Sequence, residues 1–334
     1  MSCVCRQAVQ PQVNFQGSKG NINFEPLFPL KDKVVIVMGA TGTGKSRLAI
    51  DLATRFPAEI VNSDKIQVFK GLDIATNKVT EEECKGIPHH LLGVVEPGSN
   101  FTATDFRIRA AKAVESIVSR DRLPIIAGGS NSYIEALVNG VDSDFQQRYD
   151  CCFLWVDVSL PVLYSFVSER VDRMVEMGLV DEVRQIFDPE ADYSRGIRRA
   201  IGVPELDQYL RAEGIVDERT RVKYLEAAID KIKDNTWKLA CRQYQKINKF
   251  YNNRKTHHID ATEVFRKGGR RNADEVWENL VARRTIRIVR KFLNTEVRVA
   301  TINDAAVINA KSLPLPQPPA RGNRTPQSQL IYHH

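Results

Sequence analysis

The sequence lacks the long hydrophobic runs that mark membrane-spanning helices. Its apolar stretches, such as Val34–Met38, fall far short of the ~20 residues that a bilayer requires. Cysteine is also scarce, and neither C-x-x-C nor H-x(3–5)-H spacing occurs, so we predict reduced thiols in an intracellular protein and no zinc site. Residues 1–24 contain no Asp or Glu, and they include no apolar segment of the kind that secretory signals carry.

The remaining composition is that of an ordinary globular protein. Hydrophobic residues make up 43% and charged residues 27%, which excludes a mainly disordered chain. The 334 residues allow two domains, or one large domain with an insertion. Lysine and arginine number 48 against 41 Asp and Glu, giving a net charge of +7. That excess favours an anionic ligand but is too small to demand nucleic acid by itself.

Apolar segments alternate with helical patterns through the first half of the chain. The predicted strands are short and rich in β-branched residues, and the helices between them have a 3.6-residue period. This alternation predicts an α/β fold with a parallel sheet. The predicted strands are Val34–Met38, Glu59–Val61, Leu123–Ala127 and Phe153–Val158, and the helices between them are Ser46–Phe56 and Thr104–Arg120.

From Pro161 to about Asn248 the pattern is almost entirely helical, which predicts a helical subdomain inserted into the sheet domain. We therefore divide the chain into a flexible leader or transit peptide (1–30), an α/β core (31–160 with 236–300), a helical subdomain (161–235) and a proline-rich tail (301–334). The predicted helices of this part are Val162–Met177, Leu179–Phe187, Pro204–Glu213 and Arg219–Lys249.

The clearest motif is a phosphate-binding loop between the first strand and the first helix. Residues 39–46 fit G-x-x-x-x-G-K-[ST], in the strand–loop–helix context that the mechanism needs. Its glycines let backbone N–H groups face phosphate oxygens, the helix N-terminus adds partial positive charge, and Lys45 adds a full charge. Ser46 is the predicted ligand of Mg²⁺. The predicted phosphate-binding residues are Gly39, Ala40, Thr41, Gly42, Thr43, Gly44, Lys45 and Ser46.

An acidic residue, Asp64, follows the second predicted strand. Ligands of open parallel sheets bind beyond the carboxyl ends of the strands, so Asp64 is expected near a bound substrate. Its alternative role is that of a helix N-cap or a lysine partner. The third strand ends in Gly128-Gly129-Ser130, with no acid to hold Mg²⁺, and Asp157 comes late in the chain. A small-molecule kinase is therefore a possible but incomplete interpretation.

Six segments, in order, resemble the isopentenyltransferases that prenylate N6 of adenine. The family comprises tRNA dimethylallyltransferases and the adenylate isopentenyltransferases that catalyse the first step of cytokinin biosynthesis. The resemblance covers about residues 33–260, and it implies a P-loop NTPase-like parallel sheet flanked by helices. The matching segments are Gly39–Ser46, Val61–Lys78, Pro88–Leu92, Leu123–Leu137, Arg199–Leu206 and Thr236–Gln243.

The resemblance implies that the loop holds the diphosphate of a prenyl donor, dimethylallyl diphosphate. Asp64 matches the family's general base, which accepts a hydrogen bond from the adenine N6 amine, while Thr41 and Arg242 match residues that contact the diphosphate. Lys45, Arg242 and Mg²⁺ would stabilise the leaving group, and the allylic carbon would react in an enclosed tunnel between sheet and helices. The nucleotide contacts that we carry over are Asp64, Ser63, Lys65, Gln67, Lys78, Ser130 and Asn131.

Several departures from the tRNA-type pattern favour AMP, ADP or ATP as the acceptor. Lys65 stands where Ser is usual, Ser130-Asn131-Ser132 replaces Thr-Gly-Leu, and Trp237 replaces Arg. The chain also has no zinc finger. Against this, the basic run between Arg266 and Lys291 could bind RNA phosphates, although we favour a solvated helix face interleaved with acidic residues. A tRNA-modifying enzyme is thus the alternative.

The resemblance and the acid-poor leader together predict a plastid protein, with a cytoplasmic location as the alternative. We further expect a monomer with no membrane partner. Which of AMP, ADP and ATP is preferred, and whether a hydroxylated prenyl donor is used, stays open at this point.

Overall fold

The structure is a computed structural model, and it describes residues 31–140, 144–252, 255–266 and 273–295. The predicted leader (1–30) and proline-rich tail (301–334) lie outside these residues. No helix in these ranges is long and apolar enough to cross a membrane.

Six parallel strands form one sheet in the order β3-β2-β4-β1-β5-β6. This arrangement confirms the predicted α/β class. It places β1 at an inner position, hydrogen-bonded to β4 on one side and to β5 on the other. The strands are β1 (Asp32–Met38), β2 (Ala58–Asn62), β3 (His89–His90), β4 (Leu123–Ala127), β5 (Tyr149–Asp157) and β6 (Thr256–Asp260).

The residues of β1 alternate between two cores, one on each face of the sheet. Val34, Ile36 and Met38 belong to one buried cluster, and Val35 and Val37 belong to the other. Both faces are covered by helices, which explains why β1 reads as a continuous hydrophobic run rather than an alternating pattern.

Twelve α-helices lie within the described ranges, joined by a 3₁₀ turn at Gly196–Arg199 and a π-helical stretch at Glu278–Ala282. The first five are α1 (Lys45–Ala53), α2 (Glu81–Cys84), α3 (Ala103–Val118), α4 (Asn131–Asn139) and α5 (Phe145–Arg148). The rest are α6 (Leu160–Glu176), α7 (Leu179–Gln185), α8 (Val203–Ala212), α9 (Glu218–Asn252), α10 (Thr262–Arg266), α11 (Ala273–Trp277) and α12 (Arg283–Leu293).

Helices α6 to α9 form the helical segment that the sequence pattern predicts. The long helix α9 packs against α6 and α8 and also reaches α4 beside the sheet. It thereby carries residues from the helical segment to the carboxyl ends of the strands. The boundary between an α/β core and a separate helical subdomain stays a prediction.

The exposed side of α12 is basic. Within this helix, the residues on the opposite side, Thr285, Ile286 and Val289, are buried. This division fits both a solvated helix face and a surface for RNA phosphates in the described part of the basic run, so the choice between them stays a prediction. The exposed cations of α12 are Arg283, Arg284, Arg287, Arg290 and Lys291.

Candidate active site

The phosphate-binding loop leaves the carboxyl end of β1 and enters α1 at Lys45. Gly42 and Gly44 have φ of 85° and 88°, in the left-handed region that glycine adopts without strain. The Thr43 hydroxyl and the Lys45 ammonium both donate to the carbonyl of Ala40, at 3.0 and 2.7 Å. The predicted strand–loop–helix arrangement is therefore formed, with the lysine at the start of the helix.

Gly44 also permits a close contact that the sequence did not suggest. A Cβ at this position would lie 2.7 Å from the ring of Trp277, at the end of α11. Trp277 is buried, and its indole N–H donates to the Asp51 carboxylate in α1 at 2.7 Å. The C-terminal helices thus pack directly against the loop.

Two cationic side chains face the loop without a paired carboxylate at hydrogen-bond distance among the described residues. Loss of hydration lowers the pKa of Lys45 to about 8, opposed by the nearby Asp64 and reinforced by Arg170. Burial, with help from Arg173, also lowers the pKa of the Arg170 guanidinium to about 10. Arg170 donates to the Thr41 hydroxyl at 2.9 Å, while its buried Nε has no hydrogen-bond partner in the described part of the chain. Such poorly compensated positive charge suits an anionic ligand.

Asp64 lies just beyond the carboxyl end of β2, as predicted. One carboxylate oxygen, Oδ1, accepts hydrogen bonds from the backbone amides of Ile66 (2.9 Å) and Gln67 (3.4 Å). These bonds resemble those of a helix N-cap, which is the alternative role for Asp64. The second oxygen, Oδ2, makes no hydrogen bond among the described residues, and Asp64 lines the same cavity as Lys45. One carboxylate therefore has a structural oxygen and an oxygen that can serve a substrate.

The strand between Asp64 and the phosphate-binding loop ends in two glycines. Because β4 separates β2 from β1, the carboxyl ends of these two strands lie two strand spacings apart, about 10 Å. A Cβ on Gly128 would lie 2.4 Å from the Ser63 backbone, and one on Gly129 would lie 2.4 Å from the amide of Gln243. Only glycine leaves this space clear.

Gln243, in α9, connects the two sides of the site. Its side-chain oxygen accepts the backbone N–H of Thr41 at 2.7 Å, and its amide nitrogen donates to the Gly129 carbonyl at 2.9 Å. The Gln243 carbonyl accepts a bond from the Asn131 side chain at 3.2 Å. The N–H of Thr41 is thus already used, so this residue has its hydroxyl, rather than its amide, to offer to a phosphate.

These groups surround a cavity of about 720 Å³ between the carboxyl ends of the strands and the helical segment. It lies where we expected an enclosed tunnel, and its volume is within the usual range for ligand sites. The cavity has a cationic part formed by arginines and an apolar part formed by residues of α6 and α9. The arginines are Arg170, Arg173, Arg199 and Arg242, and the apolar residues include Phe166, Met174, Ile232 and Leu239.

The predicted nucleotide contacts separate into two groups. Lys65 and Gln67 line the cavity, although the Gln67 amide already donates to the carbonyls of Thr76 and Asn77. Lys78 does not line it: its ammonium is buried against Asp73 at 2.8 Å and the carbonyl of Gly71. The structure therefore gives Lys78 a role in shaping the preceding loop and does not bring it to the cavity.

Three further predicted residues lie behind the cavity wall and support it. The Ser130 hydroxyl accepts the backbone N–H of Lys65 at 2.9 Å, and Asn131 holds Gln243 as described. Ser63 is buried, and its hydroxyl has no hydrogen-bond partner among the described residues. Their positions favour indirect roles over direct contact with a nucleotide.

Few of the described residues could serve as ligands of a magnesium ion. Ser46 lines the cavity at the start of α1. Among the described residues, no cluster of three His, Cys, Asp or Glu side chains could hold a metal. Asp157, at the end of β5, accepts from the His258 ring at 2.9 Å and from the Val158 amide. The acidic ligand that the kinase interpretation requires is thus engaged elsewhere.

Arg170, Gln243 and Trp277 are the residues that sequence reasoning missed. Arg170 carried a detectable signal, because it lies on the inner side of α6, where its neighbours one turn away, Val167 and Met174, are buried. Gln243 was inside a family segment but had no assigned role. Trp277 lies outside every motif, and only the fold brings it to the loop.

Comparison with known families gives a match over more than half of the chain. The family model described as IPP transferase matches residues 67–148 and 141–250 of this chain. Two relatives from Arabidopsis thaliana are named adenylate isopentenyltransferase 5, chloroplastic (65% identical), and 7, mitochondrial (57%). Each alignment covers 86% of this chain and 88% of the relative. An adenylate isopentenyltransferase from Humulus lupulus is 45% identical, covering 77% of this chain and 89% of its own.

Solved structures with the same fold are more distant in sequence. A eukaryotic dimethylallyltransferase acting on tRNA has a TM-score of 0.67 at 24% identity. The match covers 79% of the present chain and 80% of the dimethylallyltransferase chain. A tRNA isopentenylpyrophosphate transferase from Bacillus halodurans has a TM-score of 0.65 at 23% identity. The match covers 81% of the present chain and 100% of the Bacillus chain. At this identity the likeness shows the fold alone.

Proposed function

The chain belongs to the IPP transferase family, and we propose that it is an adenylate isopentenyltransferase. In this reaction the dimethylallyl group of dimethylallyl diphosphate passes to N6 of the adenine of AMP, ADP or ATP, and diphosphate is released. The named relatives at 65% and 57% identity support this proposal. The structural observation that carries it is the position of Asp64 across the cavity from a cation-rich phosphate-binding loop.

The loop would hold the donor by its diphosphate. Lys45, Arg170 and Arg242 all line the cavity, and the glycines of the loop would leave backbone N–H groups for the phosphate oxygens. As the bond between C1 and the diphosphate oxygen breaks, negative charge develops on the leaving group. Cations held in place with little hydration stabilise that charge more strongly than water does.

Asp64 would direct the acceptor. The exocyclic amine of adenine is a poor nucleophile, because its lone pair is delocalised into the ring. Oδ2 can accept an N6–H, which directs the nitrogen at C1 of the donor and then removes the proton as the C–N bond forms. General base catalysis of this kind contributes about 10²–10⁴-fold. Oδ1 meanwhile holds the carboxylate in place through the amides of Ile66 and Gln67.

Mg²⁺ is part of the proposal as an ion that arrives with the diphosphate. Magnesium usually keeps several waters and binds through substrate phosphates with few protein ligands, and Ser46 offers a hydroxyl at the loop. Bound there, the ion would neutralise part of the diphosphate charge. The side-chain cations would neutralise the rest of the diphosphate charge.

The test is incubation with labelled dimethylallyl diphosphate and AMP, ADP, ATP or an A-rich tRNA anticodon stem-loop in parallel reactions. Prenylated free nucleotide is the expected product. Label in the stem-loop alone would instead establish the tRNA alternative. Release of ADP from ATP without a prenyl donor would establish the kinase alternative, and each of these results would overturn the proposal.

We also propose that residues 1–30 direct the chain to plastids. The acid-poor composition supports this, and the relative at 65% identity is named as chloroplastic, whereas the one at 57% is named as mitochondrial. Fusing residues 1–60 to a fluorescent protein tests it. Plastid fluorescence is expected, and mitochondrial or cytoplasmic fluorescence would contradict it.

The proposed monomeric state is tested by light scattering after size-exclusion chromatography. A mass near 37.8 kDa, the mass of one chain, is expected.

A further inference from the structure

We propose that Gln243 is a positioning residue that fixes the distance between the donor diphosphate and the Asp64 carboxylate. This inference rests on the proposed function, because it assigns the two sides of the cavity to donor and acceptor. Gln243 itself would touch neither reacting atom. It would act by joining the phosphate-binding loop to the loop that follows β4.

The hydrogen bonds of Gln243 link three chain segments that are far apart in sequence. Its side-chain oxygen accepts from the Thr41 backbone N–H at 2.7 Å, and its side-chain nitrogen donates to the Gly129 carbonyl at 2.9 Å. Since a primary amide has one acceptor end and one donor end, the glutamine side chain can satisfy an N–H and a C=O on two different loops simultaneously. The side chain is therefore matched to both loops at once.

A second set of bonds continues the link towards Asp64. Asn131 follows Gly129 closely and donates to the Gln243 backbone carbonyl at 3.2 Å. Its neighbour Ser130 accepts the amide of Lys65 at 2.9 Å, immediately after Asp64. The chain of contacts thus runs from the donor loop through α9 and the β4 loop to the candidate base.

Burial makes this link rigid. Gln243 is 8% exposed, and a buried polar group that loses its partner pays the full desolvation cost. The amide cannot withdraw from Gly129 without leaving two polar groups unpaired. A side chain at position 129 would collide with it, since an added Cβ lies 2.4 Å from the Gln243 amide nitrogen. Gly129 and Gln243 therefore form one fitted unit.

The function of such a unit is to hold N6 at the reactive distance from C1. A displacement of about 1 Å in a site of this kind costs about 10²-fold in rate. Donor and nucleotide would still bind, because each would keep its own contacts. The loss should therefore appear in kcat, and the activated donor should more often react with water.

The experiment compares Gln243→Leu and Gln243→Glu with the wild type. Gln243→Leu removes both side-chain bonds, whereas Gln243→Glu keeps the acceptor for Thr41 and places a carboxylate against the Gly129 carbonyl. For each we expect kcat to fall about 10²-fold, while KM for donor and nucleotide changes only a few-fold. We also expect a larger share of the consumed donor to appear as dimethylallyl alcohol. In that side reaction water attacks C1, the C–O bond to diphosphate breaks, and the water proton passes to solvent.

Gln245→Leu is the matched control, because Gln245 is exposed on the same helix. It should keep the wild-type kcat and the wild-type ratio of hydrolysis to transfer. The contrary result is that the variants at position 243 lose rate only in proportion to their loss of folded protein, with the wild-type ratio of hydrolysis to transfer. That result would overturn the positioning role. Wild-type kcat in both variants would do the same. A wild-type enzyme that transfers no prenyl group would instead overturn the proposed function and, with it, this inference.

Discussion

At the scale of single residues, the two oxygens of the Asp64 carboxylate have different surroundings. Oδ1 caps two backbone amides, and Oδ2 faces the cavity. A substitution to alanine would therefore change the local fold together with the chemistry. A substitution to asparagine separates the structural effect from the chemical one, because its Oδ1 can still accept hydrogen bonds from the two backbone amides.

We predict that Asp64→Asn lowers kcat by about 10²–10⁴-fold, because an amide cannot accept the N6 proton. Its thermal midpoint should stay near that of the wild type. Asp64→Ala should be equally inactive and should also lose about 1 kcal/mol of stability, as expected when a capping side chain is removed. Steady-state kinetics and thermal unfolding of both variants provide the measurement. An Asp64→Asn enzyme with near-normal turnover would contradict the assigned role.

The low pKa of Lys45, about 8, predicts a pH effect on donor use. Above that pH the free enzyme increasingly holds a neutral amine, which attracts diphosphate less. We therefore expect kcat/KM for the donor to fall as the pH rises through about 8. Lys45→Arg should move this fall to higher pH, because a guanidinium keeps its proton. The same alkaline fall in both enzymes, in kinetics or in calorimetric binding of diphosphate, would count against Lys45.

Residues of the phosphate-binding loop were predictable because their spacing is local and chemically demanding. Asp64 was predictable because the carboxyl end of a strand is a general ligand position. The role of Gln243 was not, since it depends on which helix crosses which loop. Arg170 was visible as a charge on the inner side of α6, but the loop that it meets was not. Lys78 shows the converse. The resemblance implied a nucleotide contact for Lys78, but the intervening turn directs its ammonium to Asp73.

At the scale of secondary-structure elements, the strands that the sequence predicted are the buried ones. β1, β4 and β5 consist mainly of apolar residues, which any hydrophobicity pattern finds. β6 escaped prediction because Thr256–Asp260 contains two histidines and is mostly half-buried. β3 has two residues, and its pairing with β2 depends on the fold rather than on its own composition. Edge strands carry little local signal.

The packing of α11 on α1 predicts a linked effect on stability and donor binding. Trp277→Ala should cost about 3–5 kcal/mol, because it empties a buried aromatic site. Trp277→Phe keeps a ring against Gly44 and should lose only about 1 kcal/mol, for the bond to Asp51. Donor KM should rise in the same order, because the ring supports the loop. Chemical denaturation and kinetics measure both quantities.

Tyr164 is the control for this series, because it is an aromatic residue of α6 that is 51% exposed. Tyr164→Ala should cost clearly less stability than Trp277→Ala. Equal losses at the two positions would remove the argument that Trp277 supports the loop.

At the scale of the whole molecule, the cavity holds positive charge that the free protein compensates poorly. Lys45 and Arg170 both have lowered pKa values, so keeping them charged at neutral pH costs free energy of folding. A bound anion removes that cost. The cations that would bind the anionic substrate therefore destabilise the fold when no ligand is bound.

We predict that Arg170→Met raises the thermal midpoint of the free protein and lowers its affinity for diphosphate. In the wild type, inorganic diphosphate at about 100 times its Kd should stabilise the fold by about 2.7 kcal/mol. The variant should need a higher concentration to reach the same shift. Thermal unfolding across a diphosphate titration measures both effects, and a less stable variant with unchanged affinity would refute the prediction.

The position of β4 between β1 and β2 has a consequence for how such an enzyme can diversify. The sheet sets the spacing of the strand ends, and Gln243 fixes the loops that follow them, so the span from leaving group to base tolerates little adjustment. Much of the remaining cavity wall belongs to α6 and α9, whose side chains can vary while the backbone frame stays intact. Bulkier or more polar transferable groups could thus be accommodated through helix substitutions alone, while the reaction axis is inherited unchanged.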